Sequence, residues 1–246
     1  MGWTHLVAHE YRPGGWVSVI LPLAGEGGPP MVQPVADGSW LVHTDREVHI
    51  VKADGSTESR YPTGWVKCFQ ATSTGRAWVG YGEQDILGTG VGRACFSAFE
   101  RDGTASFKYT DGEWQPGQVQ PLNINAINVF DDAETWILGT GEDSLLVRMK
   151  DLSLAESWTW SNRGTSRGPY GFGIAVDGER LLVSAFSGPN LELWDLNSKR
   201  VSELVAVGDT GPLPIHRAVG RGTVLYLMTW DAVYSIDLLE LGTLYE

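Results

Sequence analysis

Polar side chains that could do chemistry recur in the predicted turns of this 246-residue sequence. They occupy two kinds of turn, those before the first strand of a repeat and those between its second and third strands. In a four-stranded antiparallel repeat these two turns share one end of the sheet. The candidates for a binding face are Glu83, Asp85, Glu142, Asp143, Asn123, Asn125, Tyr170, His216, Arg217 and Asp231. Such a face could dock a protein or bind a small molecule in a central funnel, and the alternative is that these turns are merely solvated.

Catalysis by these residues would require two carboxyl groups at a defined separation. Glu83 or Asp85 could act with Glu142 or Asp143, one as acid and the other as base or nucleophile. The sequence contains no GxSxG nucleophile motif. Catalytic residues are therefore left unassigned, and an enzyme acting on a small molecule in the central funnel is the alternative to a binding protein.

Four alternating residues, His43, Asp45, Glu47 and His49, have side chains that could hold a metal. Thr44 to Arg46 also has the composition of a turn, which would place the two histidines on different strands. The sequence contains no HExxH, CxxC or EF-hand motif. We therefore predict no metal and no cofactor.

Four of the tryptophans that do not occupy the second position of the strand SWLVHT or of its copies along the chain could stack sugars. A carbohydrate-binding protein is therefore the third alternative. These tryptophans are Trp114, Trp158, Trp160 and Trp230. They do not recur at one position of the repeat, which argues against a multivalent lectin.

The elements that would position these residues are repeats of short apolar strands separated by turns. Five copies of one strand read SWLVHT from Ser39, AWVGYG from Ala77, TWILGT from Thr135, RLLVSA from Arg180 and VLYLMT from Val224. Successive copies begin 38 to 58 residues apart, a spacing that is typical of propeller blades. We predict an all-β fold, a single β-propeller domain of five four-stranded blades at about 31–64, 65–118, 119–167, 168–210 and 211–246. A hairpin within residues 1–30 would close the ring, and six blades is the alternative count.

The net charge narrows the classes of partner. The chain has 30 acidic and 18 basic residues and a formal charge of -12, which argues against nucleic acid. A basic protein would be attracted to such a surface, although acidity also serves solubility. Two cysteines, Cys68 and Cys95, are too few for a disulfide framework. No signal peptide and no membrane-spanning run is visible, so we expect a cytoplasmic protein.

Three phrases resemble a group of uncharacterised bacterial propeller proteins. They are GRAWVGYGEQDILGTG, the preceding VKCFQATST, and FGIAVDGERLLVSAF. The repeats are similar to those of NHL-type, streptogramin-lyase-like and WD40-like propellers over most of residues 31–238. The resemblance implies the fold and no activity, because propellers include hydrolases, lyases, lectins and scaffolds. We favour a non-catalytic protein that recognises a protein partner through an acidic, loop-rich face, and a basic partner is the most specific form of this hypothesis. By resemblance to other propellers, the enzyme alternative would be a lyase or a glycosidase-like protein.

Overall fold

The structure is a computed structural model that describes residues 6–12, 15–21, 30–44, 46–86, 94–109, 121–161, 168–185 and 188–241. In the described residues, five sheets of three or four antiparallel strands follow one another along the chain, four with four strands and one with three, and two further sheets are two-stranded hairpins. In each sheet, sequential strands are neighbours. The all-β, five-bladed propeller fold predicted from the repeats is confirmed. The chain divides into two compact units, Met1–Tyr109 and Thr110–Glu246.

Unit 1 (Met1–Tyr109) contains an N-terminal hairpin and two blades. The hairpin pairs β1 (Leu6–Arg12) with β2 (Gly15–Leu21), and closure of a ring by this hairpin stays a prediction. Blade 1 comprises β3 (Met31–Pro34), β4 (Trp40–Thr44), β5 (Glu47–Val51) and β6 (Thr57–Pro62). Blade 2 comprises β7 (Cys68–Ala71), β8 (Ala77–Gly80), β9 (Phe96–Phe99) and β10 (Ala105–Lys108), with the one-turn helix α1 (Glu83–Ile86) between β8 and β9.

Unit 2 (Thr110–Glu246) contains three blades. Blade 3 comprises β11 (Asn123–Val129), β12 (Glu134–Thr140), β13 (Asp143–Lys150) and β14 (Ser153–Ser161). Blade 4 comprises β15 (Gly173–Val176), β16 (Arg180–Ser184), β17 (Asn190–Asp195) and β18 (Val201–Val205). A small hairpin, β19 (Val207–Gly208) and β20 (Gly211–Pro212), leads to blade 5, which comprises β21 (Arg217–Arg221), β22 (Val224–Met228) and β23 (Val233–Asp237).

Two local features differ from the prediction. Blade 5 has three strands where four were predicted: β23 is followed by a one-turn helix, α2 (Leu238–Leu241), and residues 242–246 lie outside the described residues. The hairpin β19–β20 was not predicted, because its two-residue strands are too short to produce a periodic pattern. No helix in the described ranges is long and apolar enough to cross a membrane.

The recurring position of the repeat forms the core of every blade. Its occupants are Trp40, Trp78, Trp136, Leu181 and Leu225, and all five are at most 3% exposed. The second strand of a blade has a neighbour on each side, and its two faces are covered by other side chains. Large apolar residues are therefore favoured there, and burying each one contributes roughly 1.5–3 kcal/mol.

Candidate functional site

The registers of unit 2 place the predicted turns at one end of each blade. The residue that begins the first strand pairs with the residue that ends the second, as in Gly173 with Ser184 and Arg217 with Met228. The Val176 N–H donates to the Gly222 carbonyl at 3.0 Å, and a Cβ at Gly173 would lie 2.7 Å from that of Ala218. The first strands of blades 4 and 5 therefore run in the same direction. We define the loop end of unit 2 as the turns of its three blades at this end. They are residues 121–125 and 141–143 of blade 3, residues 168–172 before blade 4, and residues 213–217 and 229–232 of blade 5.

Blade 3 contributes the acidic turn and two amides to the loop end. Glu142 is exposed and Asp143 is half-buried in a tight turn, in which the Gly141 N–H donates to the Asp143 carbonyl at 2.9 Å. Asn123 is half-buried, whereas Asn125 is 2% exposed and its amide donates to the Thr140 hydroxyl at 2.8 Å. Asn125 thus supports the loop end from inside and offers no surface to a macromolecule.

Blade 4 presents two aromatic side chains on the loop before β15. Tyr170 and Phe172 are 43% and 40% exposed. Gly171 between them approaches Ser184 so closely that a Cβ would clash with its carbonyl oxygen, which also accepts a hydrogen bond from the Phe172 N–H at 3.2 Å. Only glycine permits this approach, and it fixes the loop on which both aromatic residues stand.

Blade 5 presents an exposed aromatic stack. Trp230 is 86% exposed, and its ring lies parallel to that of His216, with centroids 4.4 Å apart and planes 9° apart. The turn that carries Trp230 is held by Thr229, whose hydroxyl donates to Asp231 Oδ1 at 2.8 Å and whose N–H donates to the Ala232 carbonyl at 2.9 Å. The predicted residues His216 and Asp231 therefore lie in adjoining turns, and exposed Arg217 follows His216.

Charge is distributed unequally between the two units. Unit 2 has 19 of the 30 acidic residues and 9 of the 18 basic ones, a formal charge of -10, whereas unit 1 has 11 and 9, a charge of -2. The acidity that argued for a basic partner is thus concentrated in the unit that contains the exposed aromatic residues.

The other two predicted residues, Glu83 and Asp85, lie on α1 in unit 1. Glu83 is exposed and Asp85 is half-buried; desolvation raises the pKa of Asp85, and the charge of Arg46 opposes that shift. The Arg46 guanidinium lies over the ring of Trp65, 4.8 Å from its centroid, and Trp65 is 49% exposed. Unit 1 thus has a cation and an aromatic ring together with the carboxylates that the sequence indicated.

The residues considered for a metal do not share one site. His43 pairs with Val48 and His49 pairs with Val42, so the two histidines point to opposite faces of blade 1. His43 packs against Phe69, and His49 lies 3.7 Å from Glu47. Asp45 lies outside the described residues.

Of the four tryptophans considered for sugar stacking, only Trp230 is largely exposed among those that the structure describes. Trp160 is 6% exposed and meets Trp194 edge to face, and half-buried Trp158 stacks on Trp136 with centroids 5.3 Å apart. Trp114 lies outside the described residues.

Comparisons with known proteins support the fold and give no activity. No protein-family model and no curated protein matches the chain. The chain is similar to the crystal structure of a protein of unknown function from Bacteroides caccae. The TM-score is 0.54 and the identity 13%, over 90% of this chain and 86% of that one. At this identity the likeness shows the fold alone, and the resemblance to NHL-type, streptogramin-lyase-like or WD40-like families stays a prediction.

Sequence reasoning missed Phe172 and Trp65 as members of these surfaces. Both are large apolar residues at the edge of a strand pattern, where sequence alone suggests core. The signal that could have identified Phe172 is Gly171, because a glycine just before a first strand is typical of a close backbone approach.

Proposed function

We propose that this protein is a non-catalytic binding protein that recognises a basic protein partner through the loop end of unit 2. The observation that carries the proposal is the exposure of Tyr170, Phe172 and Trp230 at the same end of two adjacent blades. Exposed aromatic residues in one region are typical of interaction surfaces, where they supply most of the contact energy.

The charge of unit 2 supports a basic partner. Glu142 and Asp231 are exposed in the turns around the aromatic residues, within a unit of formal charge -10. Acidic side chains around an aromatic centre would speed encounter with a basic protein and disfavour acidic ones. This attraction would weaken with added salt.

Local hydrogen bonds and close packing hold the turns of the loop end in one conformation before a partner binds. The Thr229 hydrogen bonds hold the turn of Trp230, and the close approach of Gly171 to Ser184 holds the loop of Tyr170 and Phe172. Side chains fixed before binding lose less conformational entropy when a partner docks. The enzyme alternative stays a prediction, and its carboxylate pairs belong to different units.

The test compares two variants that lose the same charge. One carries Glu142→Gln and Asp231→Asn at the loop end; the other carries Glu179→Gln and Glu203→Gln, which are exposed on blade 4 away from the loop end. Captured proteins are identified from the native host, and the best candidate is purified and titrated against each form of the full chain.

We expect the loop-end variant to weaken binding by about tenfold, with a reduced salt dependence, and the blade 4 variant to bind nearly as wild type. A Trp230→Ala variant should lose binding further. Equal losses in both charge variants would mean that only net charge matters and would reject the loop end as the interface.

A further inference from the structure

We infer that Trp230, stacked on His216 and followed by Asp231, is a subsite for an arginine side chain of the partner. This inference rests on the proposed function, because it names the chemistry that the loop end would recognise. His216 covers one face of the indole, and with 86% of Trp230 exposed the opposite face is open to solvent. An open indole face beside a carboxylate attracts a flat cation.

The chain itself uses this chemistry at two other tryptophans. Arg46 lies 4.8 Å from the ring centroid of Trp65, and the charge of Arg46 also acts on Asp85. Arg148 lies 5.3 Å from the centroid of Trp136 and pairs with Glu134 at 2.8 Å. In both cases a guanidinium lies over an indole and interacts with a carboxylate.

Trp230 supplies the indole of this arrangement and Asp231 supplies the carboxylate. In the described part of the chain, no arginine or lysine lies over it. The neighbouring cation is Arg217, the exposed first residue of β21, and its guanidinium does not lie over the indole. A guanidinium from a partner would therefore complete the arrangement.

Arginine suits this subsite better than lysine. A guanidinium is planar and weakly hydrated, so it can stack on the indole while its N–H groups donate to a carboxylate. Lysine offers a compact, strongly hydrated charge that gains less from the ring. Asp231 has one carboxylate oxygen engaged by Thr229, and that bond orients the group without neutralising it.

The probe is an eight-residue peptide of alternating Gly and Arg, labelled with a fluorophore and titrated against the full chain by anisotropy. Matched peptides replace arginine with lysine or with citrulline, which keeps the shape of the side chain and removes its charge. The protein forms are wild type, Trp230→Ala, Trp230→Phe, Asp231→Asn and the control Glu203→Gln. Because Trp230 is exposed, the Trp230→Ala variant should retain its fold, which circular dichroism checks.

We expect wild type to bind the arginine peptide about fivefold more tightly than the lysine peptide, the ratio that a modest cation–π contact gives. The citrulline peptide should bind more weakly than either. Trp230→Ala should abolish the preference for arginine, Trp230→Phe should retain part of it, and Glu203→Gln should leave it unchanged.

Two outcomes would overturn the inference in different ways. In the first outcome, the arginine and lysine peptides bind equally, and the double variant Glu142→Gln plus Asp231→Asn weakens both. This result would reject the arginine subsite and would still support the loop end as the binding surface for a basic partner. If neither basic peptide binds while a neutral tetrasaccharide such as cellotetraose binds wild type but not Trp230→Ala, the subsite and the proposed protein partner are both rejected in favour of sugar stacking.

Discussion

The side-chain amide of Asn128 makes two opposed hydrogen bonds to the backbone of Gly222, 94 residues later in the chain. Its Nδ2 donates to the Gly222 carbonyl and its Oδ1 accepts from the Gly222 N–H, both at 2.8 Å. Nδ2 also donates to the carbonyl of Ile174 at 2.8 Å. One buried amide therefore joins the first strands of blades 3 and 4 to the turn that follows β21 in blade 5, and so fixes how the sheets that carry the loop end pack together.

Replacing Asn128 with alanine should destabilise the protein strongly. Asn128 is fully buried, and its removal leaves two carbonyls and one N–H without these hydrogen bonds. We expect a loss of about 3 kcal/mol in the free energy of unfolding, since an unpaired buried polar group costs about 1–3 kcal/mol. The Ile174 carbonyl and the Gly222 N–H lose their bonds to Asn128, whereas the Gly222 carbonyl keeps its hydrogen bond from the Val176 N–H. Urea denaturation followed by tryptophan fluorescence measures it. The control Asn190→Ala, at an exposed position of blade 4, should cost less than about 0.5 kcal/mol, as surface substitutions commonly do. Similar losses in the two variants would contradict the role of Asn128.

Replacing Gly171 with alanine should displace the loop that carries Tyr170 and Phe172. A Cβ would clash with the Ser184 carbonyl, and neither backbone can move without disturbing the pairing of β15 with β16. We expect a loss of about 2 kcal/mol, within the range of overpacking, together with weaker binding of the arginine peptide. Gly178→Ala is the control, because Gly178 has a positive φ of 95° but no atom lies within 4 Å of the place where the alanine methyl group would stand. It should cost only backbone strain and leave peptide binding unchanged.

The blades could be predicted from the sequence because their core is periodic. Trp40, Trp136 and Leu225 recur with similar neighbours, and each is buried where the repeat predicts. The link between Asn128 and Gly222 could not be predicted. Asn128 stands in the strand NINAINV beside two other asparagines, and which of the three bonds to a distant backbone depends on how the blades pack.

The loop end could be predicted in outline and not in its contacts. Antiparallel pairing explains why His216 and Asp231 share one end of blade 5. The stack of His216 on Trp230 depends on the register of β21 with β22 and on side-chain rotamers, which sequence patterns do not specify. Asn125 was predicted at the same end but is buried, because its side chain packs inside blade 3 against Thr140.

Asp37 should make the stability of the protein depend on pH below 4. Its carboxylate accepts hydrogen bonds from the N–H and hydroxyl of Ser39 and pairs with Arg101, and these contacts lower its pKa to about 2. A lowered folded-state pKa means that the stabilisation is present above the unfolded value near 3.8 and is lost as the pH falls toward 2. Because the side chain is 52% exposed, solvent screening limits the effect to about 1 kcal/mol.

The matched control for Asp37→Asn is Asp54→Asn. Both aspartates stand in the sequence Ala-Asp-Gly-Ser, and both accept from the N–H and hydroxyl of the serine. Arg101 pairs with Asp37, whereas the charge of Lys52 acts on Asp54, so the difference between the two variants in urea midpoint at pH 7 reports how much more the Arg101 ion pair contributes. The difference should shrink in 1 M NaCl, where the Debye length is about 3 Å. A difference that is as large at pH 2 as at pH 7 would contradict this account, because Asp37 is partly protonated at pH 2.

The two cysteines should be unreactive in the folded protein. Cys95 is buried and Cys68 is half-buried, and desolvation raises the pKa of the Cys68 thiol to about 12 although Lys67 opposes the shift. The thiolate is the nucleophile, so its fraction at pH 8 would be very small. Titration with a chromogenic disulfide reagent should detect no fast-reacting thiol in the native protein and both thiols after unfolding in guanidinium chloride. The variants Cys68→Ala and Cys95→Ala assign any slow phase to one residue. Fast reaction of the single thiol in folded Cys95→Ala would show that Cys68 lies in a more solvated environment than its raised pKa requires.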